Sequence, residues 1–519
     1  MTTVSDPTAA VRQDPRRWWA LGALVASLLV LGFDMTILNV ALPTMAGQLG
    51  ASTGEQQWLA DAYVVVFAAL MLPAGLLGDR FGRRAMLMAG LGVFLAGSLL
   101  GALVDDVALV VAARAVMGLG AALVMPLAFA VLPALFGPGE RTRAIGIVSA
   151  AGALGAPLGP IVGGWLLDHF WWGSIFLVNV PMVAIGLAAC LFLLPETRDP
   201  ASPRVDALSA ALTAAGLGAL VFGIIEAPGR GWGDALVLGA FAGAAVLLTA
   251  LVLRERRMTR PMLDLTLLRE RAFFLNTTAA TLVMFVLSGL MFVLPPHLQA
   301  VLGNDAFGTG VRLLPMMGGL LIAAKGAEPV VRRFGGRAVI SGGLVVLAFA
   351  AILGSRTGPG SGYGFTALWL SVAGLGFGFA IVPAMDAALG ALPAERAGSG
   401  SGLLMTVRQV GAAVGIALLG SLLAAAYTGR LDTDGLPAPA ADAAKDSVVA
   451  AHAVAARLGD DGLRASANAA YVHGMDLVLL VSGVAALVTA LLVAALLPRS
   501  GAARTPGTDR GGAPHDARQ

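Results

Sequence analysis

Charge is scarce in this chain. Asp, Glu, Lys and Arg together make up 13% of its 519 residues, about half the share found in soluble domains. Only two lysines, Lys325 and Lys445, stand among its 34 basic residues. One cysteine, Cys190, excludes an intrachain disulfide and a cysteine-built metal site. Five scattered histidines form no ligand cluster, so no metal centre is expected. The phosphate-cradling pattern G-x-x-x-x-G-K-[ST] is missing, which argues against ATP as an energy source. Nothing in the chain points to an enzyme or to a bound cofactor. A period-2 alternation is missing too, which excludes an outer-membrane barrel.

What remains is apolar. Hydrophobic residues make up 57% of the chain and the mean hydropathy is +0.83. Uninterrupted runs long enough to cross a bilayer as helices lie at 18–41, 58–78, 85–104, 107–131, 143–167 and 173–194. A middle pair follows at 206–226 and 234–253, then 272–294, 308–330, 338–354, 363–389, 399–426 and 471–497. The expectation is an all-α polytopic membrane protein of about fourteen transmembrane helices, its partners the lipid bilayer and small molecules. The polar, Arg-bearing segment 1–17 has no small-residue cleavage site after it, so the first run reads as a retained span. A net charge of +3 would suggest nucleic acid in a soluble chain. Here the basic residues fall in alternate loops, the positive-inside pattern, and no nucleic-acid partner is expected.

Gly75–Arg84, reading GLLGDRFGRR, organises the rest. Its glycines permit a tight reversal and its arginines assign the loop to the cytoplasmic face. With that loop inside, Arg141, Arg143, Arg198, Arg204, the Arg254–Arg271 cluster, Arg332, Arg333, Arg337 and Arg396 are also inside, and both termini are cytoplasmic. Short outer loops hold only Arg230, Arg312 and Arg356. Three markers repeat 253 to 256 residues apart: Gly82 with Gly335, Glu140 with Glu395, and Gly118 with Gly374. The reading is two six-helix repeats, 18–204 with its linker and 254–497, with an inserted pair at 205–253, a transporter architecture. Segment 428–470 is the one long outer loop, with helical spacing from Asp442 to Leu458, either a surface helix or a lid. Residues 498–519 read as a disordered cytoplasmic tail.

These motifs resemble the major facilitator superfamily, in its fourteen-span drug–proton antiporter branch, over about residues 18–497. GLLGDRFGRR is similar to that superfamily's loop between helices 2 and 3. LGFDMTILNVALP at Leu31–Pro43 looks like the first-helix signature of the branch. Arg114–Gly118 resembles the fourth-helix motif, with Met117 where Gln is usual. GALGAPLGPIVGG at Gly152–Gly164 resembles the fifth-helix motif of exporters. The resemblance implies a proton-coupled antiporter that exports hydrophobic drug-like or antibiotic molecules across a bacterial inner membrane, driven by the proton gradient and active as a monomer. A dedicated exporter of one host-made antibiotic, or a non-transporting receptor or scaffold, are the alternatives.

Each motif also has a reading in its own residues. Gly75, Asp79, Arg80, Gly82 and Arg83 form a conformational latch or mark topology alone. Gly152, Gly155, Gly159, Gly163 and Gly164 allow close helix approach, and Pro157 and Pro160 favour a bend. An intramembrane charge is costly and faces a partner or a wet cavity. Asp34 and Arg114 sit at matching depth in helices 1 and 4, either as a neutralising pair or as a titrating carboxylate with its switch. Asp61 lies near the outer interface, within reach of water. Lys325 and Glu328 share a face of helix 10, and with Asp386, Arg408 and Gln409 they suggest an inner gate or polar network. Glu328 and Asp386 are further proton-coupling candidates. Phe33, Met35, Asn39, Met125, Phe129, Met284, Phe285 and Met291 could line an adaptable substrate cavity, or simply pack.

Cysteines placed at Gly82 and Gly335 should be labelled by an impermeant maleimide from the cytoplasmic side alone, and one at Gly435 from outside. Opposite sidedness of Gly82 and Gly335 would remove both the topology and the repeat.

Overall fold

The computed structural model describes residues 17–136, 138–198, 206–258, 261, 263–358, 361–392 and 396–497. The tails at 1–16 and 498–519, and Arg204 and Glu395, lie outside them. The main helices are α1 Arg17–Leu49, α2 Thr53–Phe81, α3 Arg83–Leu103, α4 Val107–Ala130, α5 Pro138–His169 and α6 Asn179–Leu193. The middle pair is α7 Ala207–Arg230 and α8 Ala235–Arg257. Then come α9 Arg271–Pro296, α10 Leu314–Phe334, α11 Gly336–Gly354, α12 Tyr363–Gly390, α13 Ala397–Arg430, α14 Ala438–Asp446, α15 Val448–Leu458 and α16 Asp461–Leu496. Among the described residues thirteen helices are long and apolar enough to cross a membrane. The 32-residue α5 fills the remaining place in the order.

Helix starts follow local chemistry. Ser52 and Glu55 form a reciprocal capping box on α2. Asp106, Asp206, Asp234 and Asp460 each accept backbone N–H bonds at the first turns of α4, α7, α8 and α16. Asp206 also takes a bidentate bond from Arg254, at 2.9 and 3.0 Å, tying the foot of α7 to that of α8. That guanidinium, ahead of the bonds from Ser209, pulls the Asp206 carboxyl down to about 2.

The two halves repeat at atomic level. Gly82 breaks α2 from α3 at φ 114°, and Gly335 breaks α10 from α11 at φ 81°, a backbone region glycine enters without a Cβ penalty. Gly120 of α4 lies against α3 so closely that a Cβ would sit 2.6 Å from the Phe94 nitrogen. Gly376 of α12 meets the Leu347 nitrogen of α11 at the same 2.6 Å. Gly118 presses on the Tyr63 backbone of α2, as Gly374 presses on the Met316 backbone of α10. In each half, therefore, the fourth helix is wedged backbone to backbone between the second and third.

Several boundaries differ from the apolar runs. The run 308–330 is broken into Ala306–Arg312 and α10. The run 173–194 is broken at Val178, between a single turn Ser174–Leu177 and α6. The outer loop is shorter than 428–470: α13 extends to Arg430 and α16 begins at Asp461. Two helices, α14 and α15, stand where one was expected. Hydrogen bonds hold this hairpin on the bundle, since Tyr427 donates to the Ala444 carbonyl at 2.9 Å and Thr53 to that of Asp446 at 2.8 Å. Such contacts were not encoded in the run of apolar residues; they come from hydroxyls on neighbouring helices.

Hydrogen bonds between the halves gather at one end. Gln57 of α2 donates to the Ala417 and Ile416 carbonyls of α13 at 2.7 and 3.2 Å. Gln299 donates to the Val40 carbonyl of α1 at 2.8 Å. Asp168 of α5 accepts from the Phe307 and Ala306 nitrogens at 3.0 and 3.2 Å. All lie away from the arginine-rich loops. The middle pair joins this closure, because α7 packs on both α2 and α13 and Ser421 donates to the Ile224 carbonyl at 2.8 Å.

The glycine wedges give a controlled comparison. Gly120→Ala and Gly376→Ala should each cost about 1–3 kcal/mol through forced backbone separation. Gly92→Ala and Gly342→Ala, where a Cβ meets nothing within 4 Å, should leave thermal stability in detergent unchanged. Equal melting temperatures for all four would show that the wedges carry no packing load.

Candidate functional site

The intramembrane charges of the first half meet. Arg114 Nη1 lies 2.7 Å from Asp34 Oδ2, with the side chains 3% and 1% exposed. Both belong to helices that place no other charge at this depth. The guanidinium is further held by the Leu59 carbonyl, which accepts from Nε at 3.2 Å, and by the Tyr63 ring, 4.5 Å from its Cζ. A cation over an aromatic face gains electrostatic energy when desolvated. The second Asp34 oxygen accepts from Asn179 Nδ2 at 3.1 Å, and the same amide donates to Ser98 Oγ at 3.3 Å. Thus α1, α2, α3, α4 and α6 all contribute to one buried polar centre.

Asn179, Tyr63 and Ser98 were not singled out from sequence. For Asn179 a signal existed: it is a polar residue inside the run IFLVNVPMVAIGLAACLFLL, and such residues mark functional positions in membrane spans. Tyr63 and Ser98 gave no comparable signal.

Asp61 is not in contact with water, contrary to its expected place near the interface. It is 0% exposed, and among the described residues neither carboxylate oxygen has a hydrogen-bond partner. It lies one turn beyond Gln57 on α2, which bonds to α13, so the same helical face carries both. A buried carboxyl without a partner is costly if ionised.

The inner network does not assemble. Glu328 is 80% exposed and, among the described residues, pairs with Arg332, at 3.3 Å on the next turn of its own helix. Lys325 and Asp386 are exposed. Arg408 is half-buried and donates from Nη1 to Met405 Sδ at 3.2 Å, while Gln409 is buried. Sharing a helix face put Lys325 and Glu328 on a common side, but that side is not turned toward α13.

Around GLLGDRFGRR, Asp79 accepts from Arg83 at 2.8 Å, and Arg83 Nη1 donates to the Ala130 carbonyl at the end of α4. Glu196, just beyond α6, accepts from the Arg84 and Ala85 nitrogens at 3.2 Å each. It satisfies orphan donors at the start of α3. Arg80 is exposed, its guanidinium 5.7 Å from the Phe81 ring. Gly75 lies 3.8 Å, measured from an added Cβ, from Pro126. These contacts fasten α2, α3, α4 and the end of α6 within one half.

In the fifth-helix motif, Gly155 and Gly159 admit the α1 backbone, where an added Cβ would come within 2.7 Å of the Phe33 nitrogen and oxygen respectively, and Gly163 admits Ile37. Gly164 instead faces the Ala306–Phe307 backbone of the other half. Pro157 and Pro160 lie inside α5, as does Gly152. Of the proposed cavity residues, Phe33 and Met291 are buried. Met35, Met125, Phe129, Met284 and Phe285 pack half-buried against the core, and Asn39 donates to the Met35 carbonyl at 3.2 Å.

Comparison with known proteins agrees with this architecture. The Tetracenomycin C resistance and export protein of Streptomyces glaucescens is 34% identical over 420 residues, 80% of this chain and 78% of that protein. The Multidrug efflux pump LfrA of Mycolicibacterium smegmatis is 34% identical over 465 residues, covering 88% and 91%. Among solved structures, a bacterial homolog of the human lysosomal transporter Spinster superposes with a TM-score of 0.69 at 18% identity, over 93% of this chain and 98% of that one. The Major Facilitator Superfamily profile matches residues 24–416. With its glycine-wedged helix bundles and a buried ion pair in the first half, this multi-pass membrane protein belongs to the Major Facilitator Superfamily.

Proposed function

We propose that the protein is a proton-coupled antiporter of a bacterial inner membrane, working as a monomer and exporting hydrophobic or cationic drug-like molecules from the cytoplasm. The observation that carries this reading is the buried Asp34–Arg114–Asn179 centre. Resistance and export proteins among the relatives support the substrate class. Dedicated and multidrug exporters both occur among them, so a single-antibiotic exporter is the second reading.

Antiport needs one carrier group that proton and substrate occupy in alternation. Asp34 suits this role because its carboxylate can be neutralised by a proton, by Arg114 or by a cationic substrate. In the geometry described it is held by Arg114. Removing one member of a buried pair leaves the other uncompensated, at about 3–5 kcal/mol. Occupancy of Asp34 therefore has enough leverage to shift the balance between conformations. The hydrogen bonds of Gln57, Gln299 and Asp168 close the end away from the arginine loops. With those loops in the cytoplasm, this arrangement is the cytoplasm-facing state, ready to load. Proton entry then requires that closure to part and the first-half latch at Asp79 and Arg83 to engage the other half. Substrate would enter between Met35, Met125, Phe129, Met284 and Phe285, whose soft and flat surfaces accept varied shapes.

Asp34→Asn should abolish proton release on addition of a planar hydrophobic cation such as ethidium to purified protein, with binding retained. Wild-type release from the mutant would move coupling to Asp61, the other fully buried carboxyl of the first half.

A further inference from the structure

We propose that Asn179 is the positioning residue that lets Asp34 exchange its proton without dismantling the site, by rotating its amide. The inference rests on Asp34 being the coupling carboxylate.

The two Asp34 oxygens have different owners. Arg114 holds Oδ2 at 2.7 Å and Asn179 Nδ2 holds Oδ1 at 3.1 Å. Asn179 is fully buried, and its own Oδ1 has no partner among the described residues. It is the first residue of α6, directly after the break at Val178, so a short polar side chain at the helix start is aimed into the bundle. When a proton binds Asp34 Oδ1, the NH2 group beside it becomes a donor facing a donor. A half-turn about the Cβ–Cγ bond replaces that NH2 with the amide oxygen, which then accepts from the acid O–H. Ser98 Oγ, now an acceptor at 3.3 Å, turns its hydroxyl to donate to the same oxygen. Hydroxyl and amide groups can reverse roles in this way because each carries donor and acceptor at nearly equal reach. The partnerless carbonyl gives no bond that resists the rotation. Arg114 keeps its hydrogen bond to Oδ2 throughout, so the site takes up a proton without losing that contact, while the neutralised acid leaves the guanidinium without its counter-charge until substrate or conformation supplies one.

Few other ionisable groups face this point. Arg114 comes from α4, and Tyr63 comes from α2 beneath the guanidinium, with Asp61 further along α2. Helix α3 has no charged residue between Arg84 and Asp105, and α5 has none between Arg143 and Asp168. Helix α6 has none before Glu196 and only the Cys190 thiol besides, while α9 has none between Arg271 and His297. The protonation response of the centre is therefore set by Asp34 and the groups that touch it.

Isotope-edited infrared titration of the purified full-length protein tests this, with 13C carboxyl label in Asp and 15N label in the Asn side chains, of which there are five. In wild type, a protonated carboxyl band that Asp34→Asn removes should rise with falling pH, and an Asn amide band should shift at the same midpoint. Asn179→Leu should remove that amide signal and raise the carboxyl midpoint by about one pH unit, because the ionised form loses the stronger, charge-assisted bond. Ser98→Ala, which does not touch Asp34, should leave the midpoint within a few tenths. If the carboxyl band persists in Asp34→Asn, the coupling assignment fails and this inference with it. If that band is removed but no Asn band moves in wild type, Asp34 stands and the role of Asn179 is overturned. The wild-type titration decides even if Asn179→Leu does not fold. An unchanged midpoint in a folded Asn179→Leu overturns the inference as well.

Discussion

The cost of a charge in hydrocarbon is the constraint from which this structure is arranged. Asp34 and Arg114 could not be tolerated singly at 1% and 3% exposure. Their pairing draws α1 and α4 together, and the remaining valences of the pair recruit α2 through Leu59 and Tyr63, and α3 and α6 through Ser98 and Asn179. A hydrophobic effect between helices has little force in lipid, where tails are as apolar as leucine. Close backbone contact and internal polar bonds take its place. The glycine wedges supply the first and the Asp34 centre the second.

The fold was largely legible because bilayer thickness sets helix length and arginine sets loop side. Apolar runs located every long helix, since each must be apolar wherever it meets lipid. The repeat was legible because Gly82 and Gly335 answer the same backbone need, as do Gly118 and Gly374. Helix breaks were not. Val178 and Leu313 are apolar like their neighbours, so hydropathy runs straight through them. The docked hairpin α14–α15 depends on single hydroxyls, which leave no periodic trace.

The site was legible in part, for a physical reason. Depth in the membrane can be counted along a helix, and counting put Asp34 level with Arg114. Rotation about the helix axis cannot be fixed by a charge alone. The same reasoning therefore grouped Lys325, Glu328, Asp386 and Arg408, which the structure leaves apart. It also placed Asp61 in water because it lies early in its helix, where α7, an inserted helix, in fact packs alongside α2 and α13. Counting along a helix does not say which faces an inserted helix will cover.

Most bonds closing the end away from the arginine loops share a grammar: one partner is a side chain and the other is main chain, the contact from Gln57 to Ser421 Oγ at 3.4 Å being the exception. Gln57 reads the carbonyls of α13, Gln299 that of Val40, and Asp168 the nitrogens at Ala306 and Phe307. Every residue type except proline offers the same carbonyl and the same N–H. The reading side of this seam is therefore brittle to substitution, whereas the side being read tolerates change wherever a new side chain does not crowd the reader, as a Cβ at Gly420 would at 2.5 Å from the Gln57 amide. At the positions whose carbonyls or N–H groups are read, a side chain can therefore change within the space its neighbours leave while the closure keeps its hydrogen bonds.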